Sequence, residues 1–170
     1  MALVFQYGSN CSVGRLNSPD RLNGAARVVG IAETVEDYCL AFDVWSDGNN
    51  CAASDIVRAP GRKVWGVLYE VPDERVRRET CPRGSRSFDA IEGNRYLRET
   101  IRVQCPDGSV VTALTYVVKE PQEGLRTSLD YLRHIVTGLR EQGAAEDYIR
   151  EVKRIAAENN PAIRDGVENL

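Results

Sequence analysis

Histidine and cysteine, the side chains that most often hold metal ions, are sparse or scattered in this chain. The single histidine, His134, falls on a predicted helix. The cysteines are odd in number and form no C-x-x-C pair: Cys11, Cys39, Cys51, Cys81 and Cys105. Zinc sites need clustered ligands and disulfide frameworks need paired thiols, so we expect neither. Most of these thiols should be reduced and semi-buried.

The chain also lacks a long apolar run, an excess of positive charge and a leader sequence. No hydrophobic stretch approaches the roughly 20 residues of a membrane span, and the net charge of −3 argues against a general nucleic-acid binder. Met1-Ala2-Leu3 leads directly into a predicted strand, without the basic start and cleavage site of a signal peptide. We therefore expect a cytoplasmic protein with no nucleic-acid or membrane partner, present as a monomer or homodimer.

The residues that are present indicate one α+β domain. The 170 residues are 42% hydrophobic and 28% charged, as in globular proteins. Alternating or β-branched runs predict strands at 3–7, 27–32, 38–44, 63–71, 97–105 and 110–118. Helical spacing predicts helices at 12–22, from about 128 to Gly143, and from Tyr148 to just before Pro161. Because most strands precede the best helices, we predict an α+β domain over 1–158, followed by a loose tail over 159–170.

The first predicted strand ends in a short polar turn, Tyr7-Gly8-Ser9-Asn10. Gly8 is expected to adopt backbone angles that a side chain would forbid. Ser9 and Asn10 can then present successive backbone N–H groups to an anion at the start of a helix. Taken alone, so short a segment favours an ordinary surface turn.

Glu92 follows a predicted helical turn at 87–91, and Gly93 is a natural stop for that turn. A carboxylate there faces the negative end of the helix dipole, which favours a raised pKa. A carboxyl with a raised pKa can accept and return a proton near neutral pH. The alternative is an exposed surface glutamate.

Two other side chains have a possible chemical role. Cys11 adjoins the glycine turn, where a helix N-terminus would lower its thiol pKa, so an amide hydrolase that uses Cys11 is an alternative function. Arg98 lies on the polar face of a predicted strand and could bind a substrate carboxylate with both guanidinium nitrogens, or simply be solvated. The basic run at 75–86 is either a solvated face or a loop that selects an acidic or phosphorylated substrate. The chain contains no G-x-S-x-G, H-E-x-x-H or P-loop motif.

Four segments in order resemble the γ-glutamylcyclotransferase-like superfamily over roughly residues 4–149. They are Tyr7-Gly8-Ser9-Asn10, the run from Ala53-Ser54-Asp55 through Pro60-Gly61 to Tyr69, the segment Asp89-Ala90-Ile91-Glu92-Gly93 with Tyr96, and a helix from Tyr131 to Gly143. The resemblance implies a small mixed β-barrel flanked by helices, with the active pocket at one mouth.

The resemblance also implies a reaction and a set of site residues. The α-amine of a γ-glutamyl compound attacks its own γ-carbonyl, which gives 5-oxoproline and a free amine or amino acid without metal or cofactor. Glu92 would be the catalytic acid and base. Substrate-binding residues would be Tyr7, Gly8, Ser9, Asn10, Cys11, Tyr96, Arg98 and Tyr116. Tyr96 and Tyr116 are equally well interpreted as core residues. A binding module of the same fold that catalyses nothing is the alternative from another class.

Overall fold

A computed structural model describes all 170 residues. The strands are β1 Ala2–Gln6, β2 Arg27–Thr34, β3 Tyr38–Ser46, β4 Cys51–Arg58, β5 Trp65–Val71, β6 Tyr96–Gln104 and β7 Val110–Val118. The helices are α1 Val13–Leu16, α2 Phe88–Glu92, α3 Leu129–Glu141, α4 Glu146–Asn159 and α5 Arg164–Glu168, with 3₁₀ turns at Ser9–Cys11, Asp73–Arg75 and Pro161–Ile163. No helix is both long enough and apolar enough to cross a bilayer.

Five of the strands form a closed barrel in the order β1-β5-β2-β6-β7. All neighbours are antiparallel except β7 and β1, which close the barrel as a parallel pair at Val4 and Leu114. Strands β3 and β4 pair with each other as a separate two-stranded ribbon. The predicted α+β class and small mixed barrel are therefore confirmed.

Strand β5 lies between β1 and β2, and this central position explains why its apolar residues cover both faces. Val67, Leu68 and Tyr69 are almost completely buried. Gly66 allows the strands to approach closely, because a Cβ there would lie 2.3 Å from the carbonyl oxygen of Gln6. The end of β1 therefore packs closely against β5. The glycine turn follows directly.

One strand and part of one helix differ from the sequence prediction. Strand β4 was not predicted, since alanine, serine and aspartate are poor strand formers; its first six residues are nevertheless buried against β3. The predicted helix at 12–22 is helical only over Val13–Leu16. The Asn17 side chain exchanges hydrogen bonds with the backbone of Ala26, which favours a turn over a continued helix.

The C-terminal segment 159–170, expected as a loose tail, is ordered by packing. It forms the 3₁₀ turn Pro161–Ile163 and helix α5, and Val167 is buried. Asn159 and Asn160 fasten its start by donating hydrogen bonds to the backbone carbonyls of Leu125 and Thr127. The expectation failed because these contacts are with residues distant in sequence.

Candidate functional site

The glycine turn, Glu92 and several tyrosines meet at one end of the barrel around two connected spaces. The inner pocket, about 30 Å³, is lined by Gln6, Tyr7, Gly8, Ser9, Asn10, Ser54, Glu92, Tyr96, Tyr116 and Tyr131. The outer groove, about 960 Å³, shares Ser9, Asn10, Glu92, Tyr96 and Tyr131 with it. One water needs roughly 10–15 Å³ by this measure, so the inner pocket has room for a group about as large as a carboxylate.

The glycine at the turn is required by close packing. Gly8 has φ −103° and ψ −144°, so it does not adopt the positive-φ conformation for which glycine is most often needed. A Cβ on Gly8 would instead lie 2.0 Å from Oγ of Ser54 and 3.3 Å from the hydroxyl of Tyr131. The turn therefore lies directly against β4 and α3.

Three backbone N–H groups of the turn are unused by the protein. Ser9–Cys11 form a 3₁₀ turn in which the amide of Cys11 donates to the carbonyl of Gly8. The amides of Gly8, Ser9 and Asn10 donate to no protein atom, although all three residues line the inner pocket. Successive free amides of this kind suit a carboxylate or an oxyanion.

Glu92 ends helix α2 and reaches the glycine turn through Asn10. Ser87 caps the helix by accepting a hydrogen bond from the amide of Ala90, and Gly93 ends it with φ 86°, the left-handed region that favours glycine. Nδ2 of Asn10 donates to Oε1 of Glu92 at 3.2 Å, although the two residues are 82 positions apart. The structure thus brings the turn and the acid together at one pocket.

The pKa of the Glu92 carboxyl is raised to about 7, mainly because the surrounding protein removes it from water. The charge of Asp89 raises this pKa further, whereas the Arg21 cation, the hydrogen bond from Asn10 and the Arg15 cation lower it. The sequence also predicted a raised pKa for Glu92. It attributed the rise to the helix dipole, whereas the main cause is removal of the carboxyl from water. A carboxyl with this pKa exchanges protons readily near neutral pH.

Three tyrosines at the pocket have hydroxyl groups that hydrogen-bond to protein acceptors. The Tyr7 hydroxyl donates to the carbonyl of Tyr116 at 2.5 Å, and the Tyr96 hydroxyl donates to the carbonyl of Ser54 at 2.6 Å. The Tyr116 hydroxyl donates to Oδ1 of Asp89 at 2.7 Å. Burial raises the pKa of all three phenols, so they stay protonated. They form a rigid wall for the pocket.

Two predicted site residues lie elsewhere. Cys11 is completely buried, lines neither space and donates its thiol to the carbonyl of Gln6. Burial raises its pKa to about 12, the opposite of what a nucleophile needs. Arg98 pairs with Asp89 and lines a separate cavity of about 210 Å³. The structure therefore supports neither a hydrolase that uses Cys11 nor a substrate contact by Arg98.

Several pocket residues were missed by sequence reasoning. The Tyr131 hydroxyl accepts from the backbone amide of Ser54 at 3.0 Å and lies 2.9 Å from its Oγ, which joins α3 to β4 at the glycine turn. Arg15, Arg21 and His134 line the outer groove. Tyr131 and Ser54 fell inside segments that resembled the superfamily, which was the one available signal.

The basic run at 75–86 is mostly structural. Arg75 donates to the carbonyls of Arg86 and Leu22, and Arg78 donates to the carbonyl of Asp89. These hydrogen bonds fasten the loop beside α2. Of this run only Arg86 lines the outer groove. No group of three or more His, Cys, Asp or Glu side chains comes together in a way that could hold a metal ion.

Solved structures share this fold over nearly the whole chain. A γ-glutamyl cyclotransferase is 21% identical, with 99% of each chain covered and a TM-score of 0.76. An uncharacterised protein from Homo sapiens is 22% identical, with 98% of each chain covered and a TM-score of 0.75. YkqA from Bacillus subtilis is 18% identical over 93% of this chain and 55% of its own, with a TM-score of 0.74.

By sequence, one family model matches this chain. No curated protein matches this chain. A family model described as the AIG2-like family matches residues 63–152, from the start of the central strand to the middle of α4. This stretch contains Glu92, Tyr96, Tyr116 and Tyr131 of the inner pocket. Because the match covers more than half of the chain and the fold is that of the γ-glutamylcyclotransferase-like superfamily, the protein belongs to the AIG2-like family.

Proposed function

We propose that the protein is a cofactor-independent cyclotransferase that releases an amine or amino acid from a γ-glutamyl compound and forms 5-oxoproline. The observation that carries this proposal is the hydrogen bond between Asn10 and Glu92, which places a carboxyl of pKa about 7 beside three free backbone amides. A proton carrier and an anion cradle at one pocket are what this ring closure needs. The family and the fold support the same class of activity.

Substrate binding begins in the inner pocket. Its volume admits a carboxylate but not a whole glutamyl group, so we assign it to the α-carboxylate of the substrate. The amides of Gly8, Ser9 and Asn10 would donate to that carboxylate. The remaining glutamyl chain and the leaving group would then extend into the outer groove, past Glu92.

In the proposed reaction, one side chain, Glu92, carries the protons between the two nitrogens. Glu92 in its charged form takes a proton from the α-ammonium group, which frees the amine to attack the γ-carbonyl carbon. A new C–N bond closes the five-membered ring, and the original amide C–N bond breaks. Glu92 passes this first proton to the leaving nitrogen as that bond breaks, then takes the second proton that the ring nitrogen must lose and transfers it to the freed amine, which leaves as an ammonium ion. No water, oxidant or reductant is consumed. Holding amine and carbonyl in contact gives effective molarities of about 10⁵–10⁸ M in favourable cases.

The proposal is tested by 5-oxoproline release from a panel of γ-glutamyl amines, amino acids and peptides. For the best substrate, we expect Glu92→Gln to lower kcat by about 10²–10⁴ while KM changes little. Glutamine keeps the size of the side chain and can still contact Asn10, but it cannot carry the proton. The variant should melt at or slightly above the parent temperature, because the charged carboxylate is unfavourable where the protein shields it from water.

A matched control is Glu99→Gln, which removes the same charge from an exposed position on β6. It should retain parent kinetics. If the Glu92 variant folds normally and releases 5-oxoproline at the parent rate, Glu92 is not the proton carrier. If the parent releases none from any compound, a binding module becomes the better interpretation.

A further inference from the structure

Two arginines of the outer groove, Arg15 and Arg21, have neither an ion pair nor a hydrogen bond to a backbone carbonyl. Four arginines line the groove: Arg15, Arg21, Arg86 and Arg95. Arg95 faces Asp47 at 3.8 Å, and Arg86 donates to the backbone carbonyls of Asp20 and Ala90. Arg15 and Arg21 form no ion pair anywhere in the protein. Arg86 forms no ion pair either, but its guanidinium donates to those two backbone carbonyls, whereas Arg15 and Arg21 donate to no backbone carbonyl.

Arg15 has only neutral hydrogen-bond partners and one unused donor. Its Nη2 donates to Oδ1 of Asn49 at 2.7 Å, and its Nη1 lies 3.5 Å from Nε2 of His134. Its Nε is buried and has no hydrogen-bond partner. Leaving such a donor unsatisfied costs about 1–3 kcal/mol. The guanidinium is therefore incompletely satisfied within the protein.

The guanidinium of Arg21 is also incompletely hydrogen-bonded by the protein. Its Nη1 donates to Oδ1 of Asn10 at 3.1 Å, and the rest of the guanidinium has no protein acceptor. Burial lowers the pKa of Arg21 and the like charge of Arg15 lowers it further, whereas the charges of Glu92 and Asp20 raise it. Two partly buried cations near each other are unfavourable unless an anion joins them.

We propose that the outer groove recognises a leaving group that carries an anion, a carboxylate or a phosphate, bound by Arg15 and Arg21. The proposal rests on the cyclotransferase function and names the class of its leaving amine. It is a second anion site, since the α-carboxylate of the glutamyl group is assigned to the backbone amides of the inner pocket. Guanidinium groups bind both anion types with two parallel hydrogen bonds.

The size of the groove agrees with a leaving group of this kind. Its volume of about 960 Å³ is at the upper end of ordinary ligand pockets and far exceeds that of the inner pocket. It is bounded on one side by the turn between β3 and β4, from Trp45 to Asn49, and on the other by residues 91–96. An amino acid, a short peptide or a phosphorylated amine would fit between them.

The first test measures binding without turnover. Glutaryl-alanine, glutaryl-phosphoethanolamine and glutaryl-alaninamide lack the α-amine, so they cannot form 5-oxoproline, and only the last has an uncharged leaving group. By calorimetry we expect at least one anionic analogue to bind about 10–100-fold more tightly than the amide. The better of the two identifies the anion. If neither binds more tightly than the amide, the proposal is overturned.

The second test assigns the effect to Arg15. In Arg15→Met, the preference for the anionic analogue over the amide should fall to within about threefold. Arg150→Met, which removes one exposed charge from α4 outside the groove, should keep the parent preference. A preference that survives in the Arg15 variant contradicts the assignment. Because binding is measured directly, an anion preference without any 5-oxoproline release would overturn the cyclotransferase proposal and leave the anion site standing.

Discussion

At the scale of single residues, Gly8 and Asn10 explain how a short turn becomes a site. Gly8 lets the turn pack against Ser54 and Tyr131, with no space left for a Cβ. The Asn10 side chain donates to both Glu92 and Gln6 and accepts from Arg21. A glycine that permits close packing and an amide with three partners therefore hold the proton carrier beside the free amides.

Replacing Gly8 with alanine should damage both stability and activity. The added methyl group would displace Ser54 or the turn itself, and such overpacking costs about 1–3 kcal/mol. At about 2–4 °C per kcal/mol for a chain of this size, the melting temperature should fall measurably. Gly14→Ala is the control, because a Cβ there meets nothing within 4 Å. Equal melting temperatures for the two variants would contradict the packing role of Gly8.

The pH dependence of turnover should report the Glu92 carboxyl. Its charged form is needed to accept the first proton, so kcat/KM should rise with pH and reach half of its plateau near pH 7. In Arg21→Met this midpoint should move to higher pH, because the Arg21 cation lowers the pKa of Glu92. The measurement is the pH profile of 5-oxoproline release. An unchanged midpoint would show that Arg21 does not act on Glu92.

At the scale of elements, the β3–β4 ribbon is joined to the barrel end by side chains. Ser54 lies on the middle of β4, and its backbone amide donates to the hydroxyl of Tyr131 on α3. Its carbonyl accepts from Tyr96 on β6. One residue therefore connects ribbon, helix and barrel, and Gly8 packs against it.

Tyr131→Phe should weaken this connection. The buried amide of Ser54 would lose its acceptor, a loss of about 1–3 kcal/mol. Tyr38→Phe is a matched control on the same ribbon, because the Tyr38 hydroxyl makes no protein hydrogen bond and its ring keeps its contact with Arg58. Denaturant unfolding should separate the two variants. If both unfold like the parent, the Tyr131 hydroxyl does not hold the ribbon in place.

At the scale of the whole molecule, two part-buried acids make stability depend on pH. Glu92 has a pKa of about 7, and burial together with the Asp55 carboxylate raises the pKa of Asp43 to about 7. Both groups bind protons more tightly in the folded state than in the unfolded chain. Their contribution to the free energy of unfolding is therefore fully present below about pH 4 and is lost as pH rises through 7.

The double variant Asp43→Asn with Glu92→Gln should abolish much of this dependence. Between about pH 5 and pH 8 the parent should lose more unfolding free energy than the double variant, because neutral amides bind no protons. Urea unfolding at several pH values measures the difference. Parallel curves for the two proteins would show that neither acid has a raised pKa in the folded state.

Much of the fold and part of the site follow from local sequence patterns. Alternation predicted six of the seven strands, and apolar spacing predicted α3 and α4. The turn at residues 7–10 and the acid at Glu92 were found because short ordered motifs resemble a known superfamily. Strand β4 was missed because its residues favour a strand only when β3 is beside them. Cys11 was misjudged because its burial depends on α3, where Gly138 leaves room for its backbone.

The sequence by itself determined the α+β class, the order of the main elements and the residues able to carry a proton or bind an anion. These properties depend on neighbours along the chain, which periodicity and turn chemistry report. Only the tertiary structure decided that Asn10 contacts Glu92, that Arg98 pairs with Asp89 and that Arg15 and Arg21 have no carboxylate partner. Burial, pKa and charge pairing depend on residues brought together across long sequence separations, and no local pattern contains that information.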